Sequence, residues 1–128
     1  MTKEQFKSIA KRIVNACSVA HKEMGSGLLE SIYEFCLIDK LKRNNTNVRN
    51  QVSIPLNYRG VELTKDFKID ILVEEKIILE LKSVDIILPV HKAQIISYLK
   101  LADKRLGFLI NFNVALIKDG ISRFVNNY

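Results

Sequence analysis

Apolar residues recur every three to four positions over the first forty residues, and this spacing predicts two amphipathic helices. The first is predicted over residues 4–23, with the inward positions Ile9, Ile13, Val14, Cys17 and Ala20. Gly25-Ser26-Gly27 ends it, because glycine tolerates the left-handed backbone that closes a helix. The second helix runs to the polar stretch 44–47, and its apolar side is predicted to carry Leu28, Ile32, Phe35, Cys36, Ile38 and Leu41.

The period then changes to two, which predicts a half-buried strand whose inward positions are Val52, Ile54, Leu56 and Tyr58. Arg59-Gly60 turns the chain into a short strand at 61–63. The runs 67–73 and 76–82 are nearly continuous in apolar residues, which is typical of strands covered on both faces. Glu74-Glu75 between them predicts a tight hairpin.

Pro89 opens a third predicted helix over about 90–102, because proline is tolerated where the first N–H would be unpaired anyway. Its predicted inward positions are Ala93, Ile96, Leu99 and Leu101. The apolar run 106–111 predicts a strand, and 114–117 predicts another that ends in a turn at Asp119-Gly120. This order of elements predicts an α/β (α+β) fold, a mixed sheet flanked by helices, in a single domain over residues 1–128.

Charge and cysteine content narrow the class of protein. Twenty Lys and Arg against fourteen Asp and Glu give a formal net charge of +6, which favours an anionic partner such as nucleic acid. The same charges also suit an ordinary solvated surface. Cys17 and Cys36 lack metal-ligand spacing, so buried free thiols are expected. Without a bilayer-length apolar run or a signal-peptide pattern, we expect a cytoplasmic protein with no membrane partner.

Three charged residues interrupt the apolar strands: Asp70, Glu80 and Lys82. A buried carboxylate is unfavourable unless a cation or metal offsets its charge. Glu80 and Lys82 project from the same strand face, and the carbonyl of Leu81 between them offers a further oxygen. Such oxygens suit Mg²⁺ or Mn²⁺, and a metal beside an oriented water and a cation is what phosphodiester hydrolysis requires. The alternative is a cross-strand salt bridge on an exposed face.

At these residues the chain resembles a known superfamily. Asp70 followed ten residues later by Glu80-Leu81-Lys82 is similar to the core of PD-(D/E)xK nucleases, and Gln94 with Tyr98 is similar to the Q-x-x-x-Y motif of their RecB-like members. Upstream, the stretch 27–34 resembles the opening of the small proteins named after a GxxExxxR motif, and 106–123 also resembles them. The likeness covers about residues 8–126, and four motifs in the right order make it specific.

The resemblance implies a restriction-endonuclease-like fold and a role for each matching residue. Asp70 and Glu80 would bind Mg²⁺ or Mn²⁺ together with the Leu81 carbonyl, and Glu30 would reach the metal or its water. Lys82 would position the attacking water and stabilise the transition state. Gln94 and Tyr98 would orient that lysine or contact DNA. Glu30 equally suits the dipole of a helix start, and Tyr98 equally suits a core aromatic.

Two positions depart from the family pattern. The proline that gives the superfamily its name is absent before Asp70, and Glu34 stands where the GxxExxxR motif has its arginine. Any role of that arginine is therefore not transferred to this chain.

Other polar residues are secondary candidates. Lys92, Lys100 and Lys104 suit a phosphate backbone, but they also suit the solvated side of a helix. His91 at the start of the third helix is a candidate ligand or base, with a cap or surface position as the more common alternative.

The residues therefore predict a metal-dependent nuclease, with DNA as the favoured substrate. A catalytically inactive nucleic-acid-binding module on the same fold is the alternative, and a structural protein with a vestigial acidic cluster is the third hypothesis. A homodimer or a partner protein is compatible with the small size of the domain.

Overall fold

The first helix, α1 (Lys3–Met24), begins and ends within one residue of its predicted bounds. Thr2 caps it: its hydroxyl accepts the N–H of Gln5, whose side-chain oxygen accepts the N–H of Thr2 in return. Gly25 ends it with a φ of 76°. In this computed structural model, which describes residues 1–63 and 67–128, the predicted inward positions of α1 are buried except Val14, which is 40% exposed.

The second helix, α2 (Glu30–Arg43), is rotated relative to the sequence prediction. Its buried residues are Tyr33, Leu37 and Leu41, whereas the predicted inward residues Leu28, Ile32 and Phe35 are exposed and Cys36 and Ile38 are half-buried. Tyr33 explains the difference. Its ring stacks on Phe112 at a centroid distance of 4.2 Å, and its hydroxyl donates to the carbonyl of Gly25 and accepts the N–H of Leu28. A tyrosine whose hydroxyl is satisfied can be fully buried, and here it sets the rotation of the helix.

Five strands form the main sheet in the order β1-β4-β5-β6-β7. Their bounds are β1 (Val48–Ser53), β4 (Lys68–Val73), β5 (Ile77–Lys82), β6 (Leu106–Asn111) and β7 (Ile121–Val125). Only β5 and β6 are parallel, and the other neighbours are antiparallel. The hairpin predicted between 67–73 and 76–82 is confirmed, with Glu74 and Glu75 both at positive φ.

The predicted strand over 52–58 is wrong as a single element. It breaks at Pro55, which has no N–H to donate to a ladder. The chain then forms a separate two-stranded hairpin, β2 (Leu56–Tyr58) and β3 (Val61–Leu63). The predicted strand at 114–117 is also wrong: this segment bends into a 3₁₀ turn (Ile117–Gly120), and the final strand is β7.

The third helix, α3 (Pro89–Leu101), begins at the predicted proline. Of the predicted inward residues, Leu99 is buried, whereas Ala93, Ile96 and Leu101 are exposed. The buried face is completed by Ile95 and Tyr98. This helix is apolar on several sides, so its sequence alone does not define which side faces the sheet.

The sheet separates two apolar layers. On one face α1 and α2 cover Ile71, Leu79 and Leu81, and on the other face α3 covers Ile69, Ile78 and Leu109. The predicted mixed α/β single domain with helices flanking the sheet is confirmed. Of the two free cysteines, Cys17 is buried as predicted and Cys36 is only half-buried. No helix within the described ranges is long and apolar enough to cross a lipid bilayer.

Gly120 lets the 3₁₀ turn approach β6 closely. A Cβ atom at this position would collide with the backbone carbonyl of Asn111 and press on Val114. We therefore expect Gly120→Ala to lower the free energy of unfolding by about 3 kcal/mol, measured by urea denaturation. Gly107→Ala is the matched control, because its Cβ would approach the side-chain ends of Ile95 and Leu99 and the carbonyl of Ile78 no closer than 3.1 Å, whereas at Gly120 the nearest backbone atom would overlap the Cβ. Equal losses in the two variants would contradict this account of Gly120.

Candidate active site

Strands β4 and β5 separate at one end, and carboxylates occupy the gap. Backbone pairing of the two strands covers Val73↔Ile77 to Ile71↔Leu79. One residue further, the N–H of Asp70 donates to Glu80 Oε2 at 2.9 Å, and the N–H of Leu81 donates to Asp70 Oδ2 at 2.8 Å. Each carboxylate is thus held by the backbone of the other strand through one oxygen.

Burial makes this pair of carboxylates difficult to ionise. The side chain of Glu80 is only 3% exposed, and desolvation together with the neighbouring Asp70 raises its pKa to about 8. Desolvation also raises the pKa of Asp70, while the N–H of Leu81 and the charge of Lys82 act in the opposite direction. A perturbed acid pair at the end of two strands is a frequent property of functional sites.

The alternative in which Asp70, Glu80 and Lys82 form a cross-strand salt bridge on an exposed face is wrong. Glu80 is buried, and the ion pairs within 4.0 Å in the described part of the chain are Arg43–Asp39 and Arg49–Glu75, both on the surface. Lys82, half-buried, is therefore close enough to influence both acids but not in contact with either. Among the described residues, no cation lies within ion-pair distance of the buried Glu80 or the half-buried Asp70.

A cavity of about 190 Å³ lies beside Asp70 and is lined by Glu30, Ser31, Glu34, Gln51, Asp70 and Leu81. Sequence reasoning placed Glu30 and Leu81 here but missed Glu34 and Gln51. Glu34 lies one helical turn after Glu30, which is a signal that they share a helix face. Its Oε1 accepts a 2.6 Å hydrogen bond from the Gln51 amide.

Gln51 lies opposite Asp70 in the register of β1 and β4, at a position where the ladder is interrupted. Its φ of 51° is unusual for a residue other than glycine in a strand. No local signal in the sequence points to this backbone conformation. It distorts the edge strand beside Asp70 while the side-chain amide is held by Glu34.

On the α3 side, Lys82, His91 and Gln94 line an open groove of about 440 Å³. The Gln94 amide donates to the hydroxyl of Tyr98 at 3.0 Å, so these two residues share a helix face as their spacing predicts. Burial raises the pKa of Tyr98, and the charges of Glu80 and Asp70 add to this effect. Tyr98 is therefore buried near the acid pair.

The secondary candidates are more dispersed. His91 Nδ1 accepts the N–H of Leu88 at 3.0 Å, so this histidine caps the start of α3. Lys92 and Lys100 are exposed on α3. Lys104 lies in a separate hollow with Lys76 and Arg105, where β5 and β6 begin, at the opposite end of these strands from Glu80.

Residues 7–124 match the sequence profile of the PD-(D/E)XK nuclease superfamily. The chain belongs to this superfamily. No curated protein and no solved structure shows significant similarity to the chain. The five-stranded mixed sheet flanked by helices is consistent with the restriction-endonuclease-like fold of the PD-(D/E)XK proteins.

PD-(D/E)XK nucleases generally use divalent metal ions, and the donor set of this site fits one. In the described ranges no three His, Cys, Asp or Glu side chains converge closely enough to form a complete cage. The two carboxylates of Asp70 and Glu80 suit Mg²⁺, which usually keeps several waters and is bound by one or two carboxylates plus substrate phosphates. The same donor set does not suit a structural zinc ion.

Asn111 holds the segment that follows Lys82. The asparagine is 4% exposed; its Oδ1 accepts the N–H of Val84 and its Nδ2 donates to the carbonyl of Val84. The N–H of Phe112 donates to the carbonyl of Lys82 in the same region. These bonds fix the path of the chain directly after the lysine.

We expect Asn111→Ala to lower the free energy of unfolding by about 2 kcal/mol, because both backbone groups of Val84 lose their buried partner. Asn113→Ala is the control: its side chain bonds only the exposed Asp85 carboxylate, and we expect a change within about 0.5 kcal/mol. Urea denaturation of both variants measures the difference. An unfolding free energy for Asn111→Ala equal to that of Asn113→Ala would show that Asn111 does not anchor this segment.

Proposed function

We propose that this protein is a metal-dependent nuclease that hydrolyses phosphodiester bonds, with DNA as the favoured substrate. The observation that carries the proposal is the pair of the buried Glu80 and the half-buried Asp70 where β4 and β5 separate. No cation of the described residues lies within ion-pair distance of either acid, and Lys82 is the nearby positive charge. Membership of the PD-(D/E)XK superfamily and the net charge of +6 support it. An acid pair kept only for stability would be replaced favourably by apolar residues.

In this proposal Asp70 and Glu80 hold the Mg²⁺ or Mn²⁺ ion, with the carbonyl of Leu81 as a further oxygen ligand. A bound ion neutralises charge on the phosphate and lowers the pKa of a bound water. Lys82 donates hydrogen bonds to the attacking water and to the phosphate, so that positive charge faces the developing charge of the transition state. Gln94 and Tyr98, joined by their hydrogen bond, position the substrate beside this lysine.

Glu30 and Glu34 face the same cavity as Asp70 and would accept hydrogen bonds from waters around the ion. Glu34 departs from the arginine of the GxxExxxR motif. Membership of that subgroup rests on the stretch 27–33 and on the C-terminal motif, and we propose it on those residues.

The test combines metal binding with cleavage. Mg²⁺ and Mn²⁺ are titrated by calorimetry into the wild type and the Asp70→Asn/Glu80→Gln double variant, and labelled DNA and RNA, single- and double-stranded, are incubated with the same samples. We expect the double variant to lose both metal binding and cleavage. Metal-dependent cleavage retained in the double variant would refute the proposed site.

The binding-module alternative makes a different prediction for the same samples. It expects nucleic-acid binding that weakens steeply with salt, because phosphate contacts release counterions, and no cleavage of any substrate with either metal. That result would replace the nuclease proposal.

A further inference from the structure

The β2–β3 hairpin stands apart from the body of the domain. It forms its own two-stranded sheet, and Pro55 separates it from β1. A two-stranded hairpin is at best marginally stable alone in water. Its tip is a tight turn in which Arg59 and Gly60 have φ values of 50° and 82°.

The tip carries an aromatic ring that the fold does not cover. Tyr58 is 62% exposed, and Val61 opposite it in the register is 59% exposed. The guanidinium carbon of Arg59 lies 5.5 Å from the centroid of the Tyr58 ring, which is within the range of a cation–π contact. The arginine thus supports the ring and places a positive charge beside it.

The hairpin leaves the domain at the end where the acid pair lies. Ser53 at the end of β1 pairs with Lys68, two residues before Asp70, and the N–H of Ile54 donates to the carbonyl of Phe67. The Phe67 ring packs edge-on against Tyr98 at a centroid distance of 6.4 Å, and Tyr98 is bonded to Gln94. The three-residue strands of the hairpin are each roughly 10 Å long.

We propose that the β2–β3 hairpin is a binding element for unpaired nucleotides, in which a nucleobase stacks on Tyr58 and Arg59 contacts the adjacent phosphate. This inference rests on the proposed nuclease function and names the substrate class. Bases inside a duplex already stack on their neighbours, so the exposed ring of Tyr58 can stack on a base only where that base is unpaired. The positive charge of Arg59 complements the phosphate, whereas an apolar protein partner would gain nothing from it.

Tyr58 lies opposite Val61 in the register, where side-chain pairs can stabilise a hairpin, so the variants must separate packing from stacking. Tyr58→Leu keeps an apolar side chain against Val61 but removes the aromatic face, whereas Tyr58→Trp keeps that face. Phe35→Leu is the matched control, because Phe35 on α2 is also an exposed aromatic residue, 73% accessible against 62% for Tyr58.

The experiment measures fluorescence anisotropy of a labelled single-stranded oligonucleotide and of the matching duplex, with Glu80→Gln added to every protein to prevent cleavage. We expect Tyr58→Leu to weaken single-strand binding about tenfold or more, and Tyr58→Trp and Phe35→Leu to leave it within about twofold. Arg59→Ala should reduce the slope of log affinity against log salt concentration by the amount that corresponds to about one phosphate contact. Tyr58→Leu should change duplex affinity much less than single-strand affinity.

Single-strand affinity unchanged in Tyr58→Leu would overturn the inference, as would equal losses in Tyr58→Leu and Phe35→Leu. A hairpin that instead contacts a protein would give the first of these results. Cleavage by proteins with the intact Glu80 is measured in parallel. If the protein cleaves nucleic acid but its binding does not depend on Tyr58, the hairpin inference fails and the nuclease proposal stands. If binding depends on Tyr58 but no metal-dependent cleavage occurs, the nuclease proposal alone is contradicted.

Discussion

Lys82→Met should reduce metal-dependent cleavage by about 10²- to 10³-fold while the protein stays folded. Methionine keeps most of the length of the side chain but removes the ammonium group that would face the attacking water and the phosphate. Because Lys82 is not within ion-pair distance of Asp70 or Glu80, the substitution breaks no contact between these residues. Single-turnover cleavage rates at saturating Mg²⁺ give the effect directly.

Lys118→Met is the matched control for this prediction. Lys118 is exposed on the 3₁₀ turn, and its loss removes the same unit of positive charge from the protein. We expect its cleavage rate to stay within about twofold of the wild type, and both variants to keep the thermal unfolding midpoint within a few degrees. Comparable loss of cleavage in the two variants would assign the effect to net charge rather than to the position of Lys82.

Glu80→Gln should stabilise the metal-free protein at neutral and alkaline pH while abolishing metal binding. Burial raises the pKa of Glu80 to about 8 in the folded state, above its ordinary value of 4.5. The folded state therefore favours the protonated acid. The unfolded state releases this proton at lower pH, so the stability of the metal-free wild type falls as pH rises from about 5 to 8. Glutamine has no proton to lose and still offers an oxygen to the N–H of Asp70.

We expect the free energy of unfolding of Glu80→Gln to exceed that of the metal-free wild type by on the order of 2 kcal/mol at pH 8. At pH 5 the difference between the two proteins should be much smaller. Urea denaturation in EDTA across this range measures both values. Addition of Mg²⁺ should restore stability to the wild type but not to the variant, because in the proposed site only the wild type would bind the ion in its folded state. Glu23→Gln, at an exposed carboxylate on α1, should change stability by less than about 0.5 kcal/mol at either pH. A wild-type stability that rises from pH 5 to 8 in EDTA would contradict this account.

The trade between stability and site chemistry follows from the packing of the sheet. Where β4 and β5 separate, hydrogen bonds from the backbone to the two carboxylates replace a pair of backbone–backbone hydrogen bonds. Burying these carboxylates lowers the stability of the fold, whereas a buried apolar pair would not. Such a loss of stability is expected where a site must bind a cation.

Features that depend on local spacing could be predicted from the amino-acid sequence alone. The recurrence of apolar residues every three to four positions predicts α1 to within one residue of its bounds, and the glutamates at 74 and 75 separate two apolar runs that form a hairpin. Asp70, Glu80 and Lys82 are identified by charge within those apolar runs. Gln94 and Tyr98 are identified by their resemblance to the Q-x-x-x-Y motif, and their four-residue spacing places both on one helix face. These signals are local because each depends on backbone geometry that repeats within a few residues.

Features that depend on partners far along the chain become defined when the chain folds. The rotation of α2 follows from the stacking of Tyr33 on Phe112, and the inward side of α3 follows from the sheet that it covers. The place of Glu34 and Gln51 beside Asp70 depends on α2 packing next to β1 and on β1 pairing with β4. The last strand begins at Ile121 because the 3₁₀ turn packs Gly120 against Asn111. These contacts join residues whose proximity is created by folding, so no periodicity in the sequence records them.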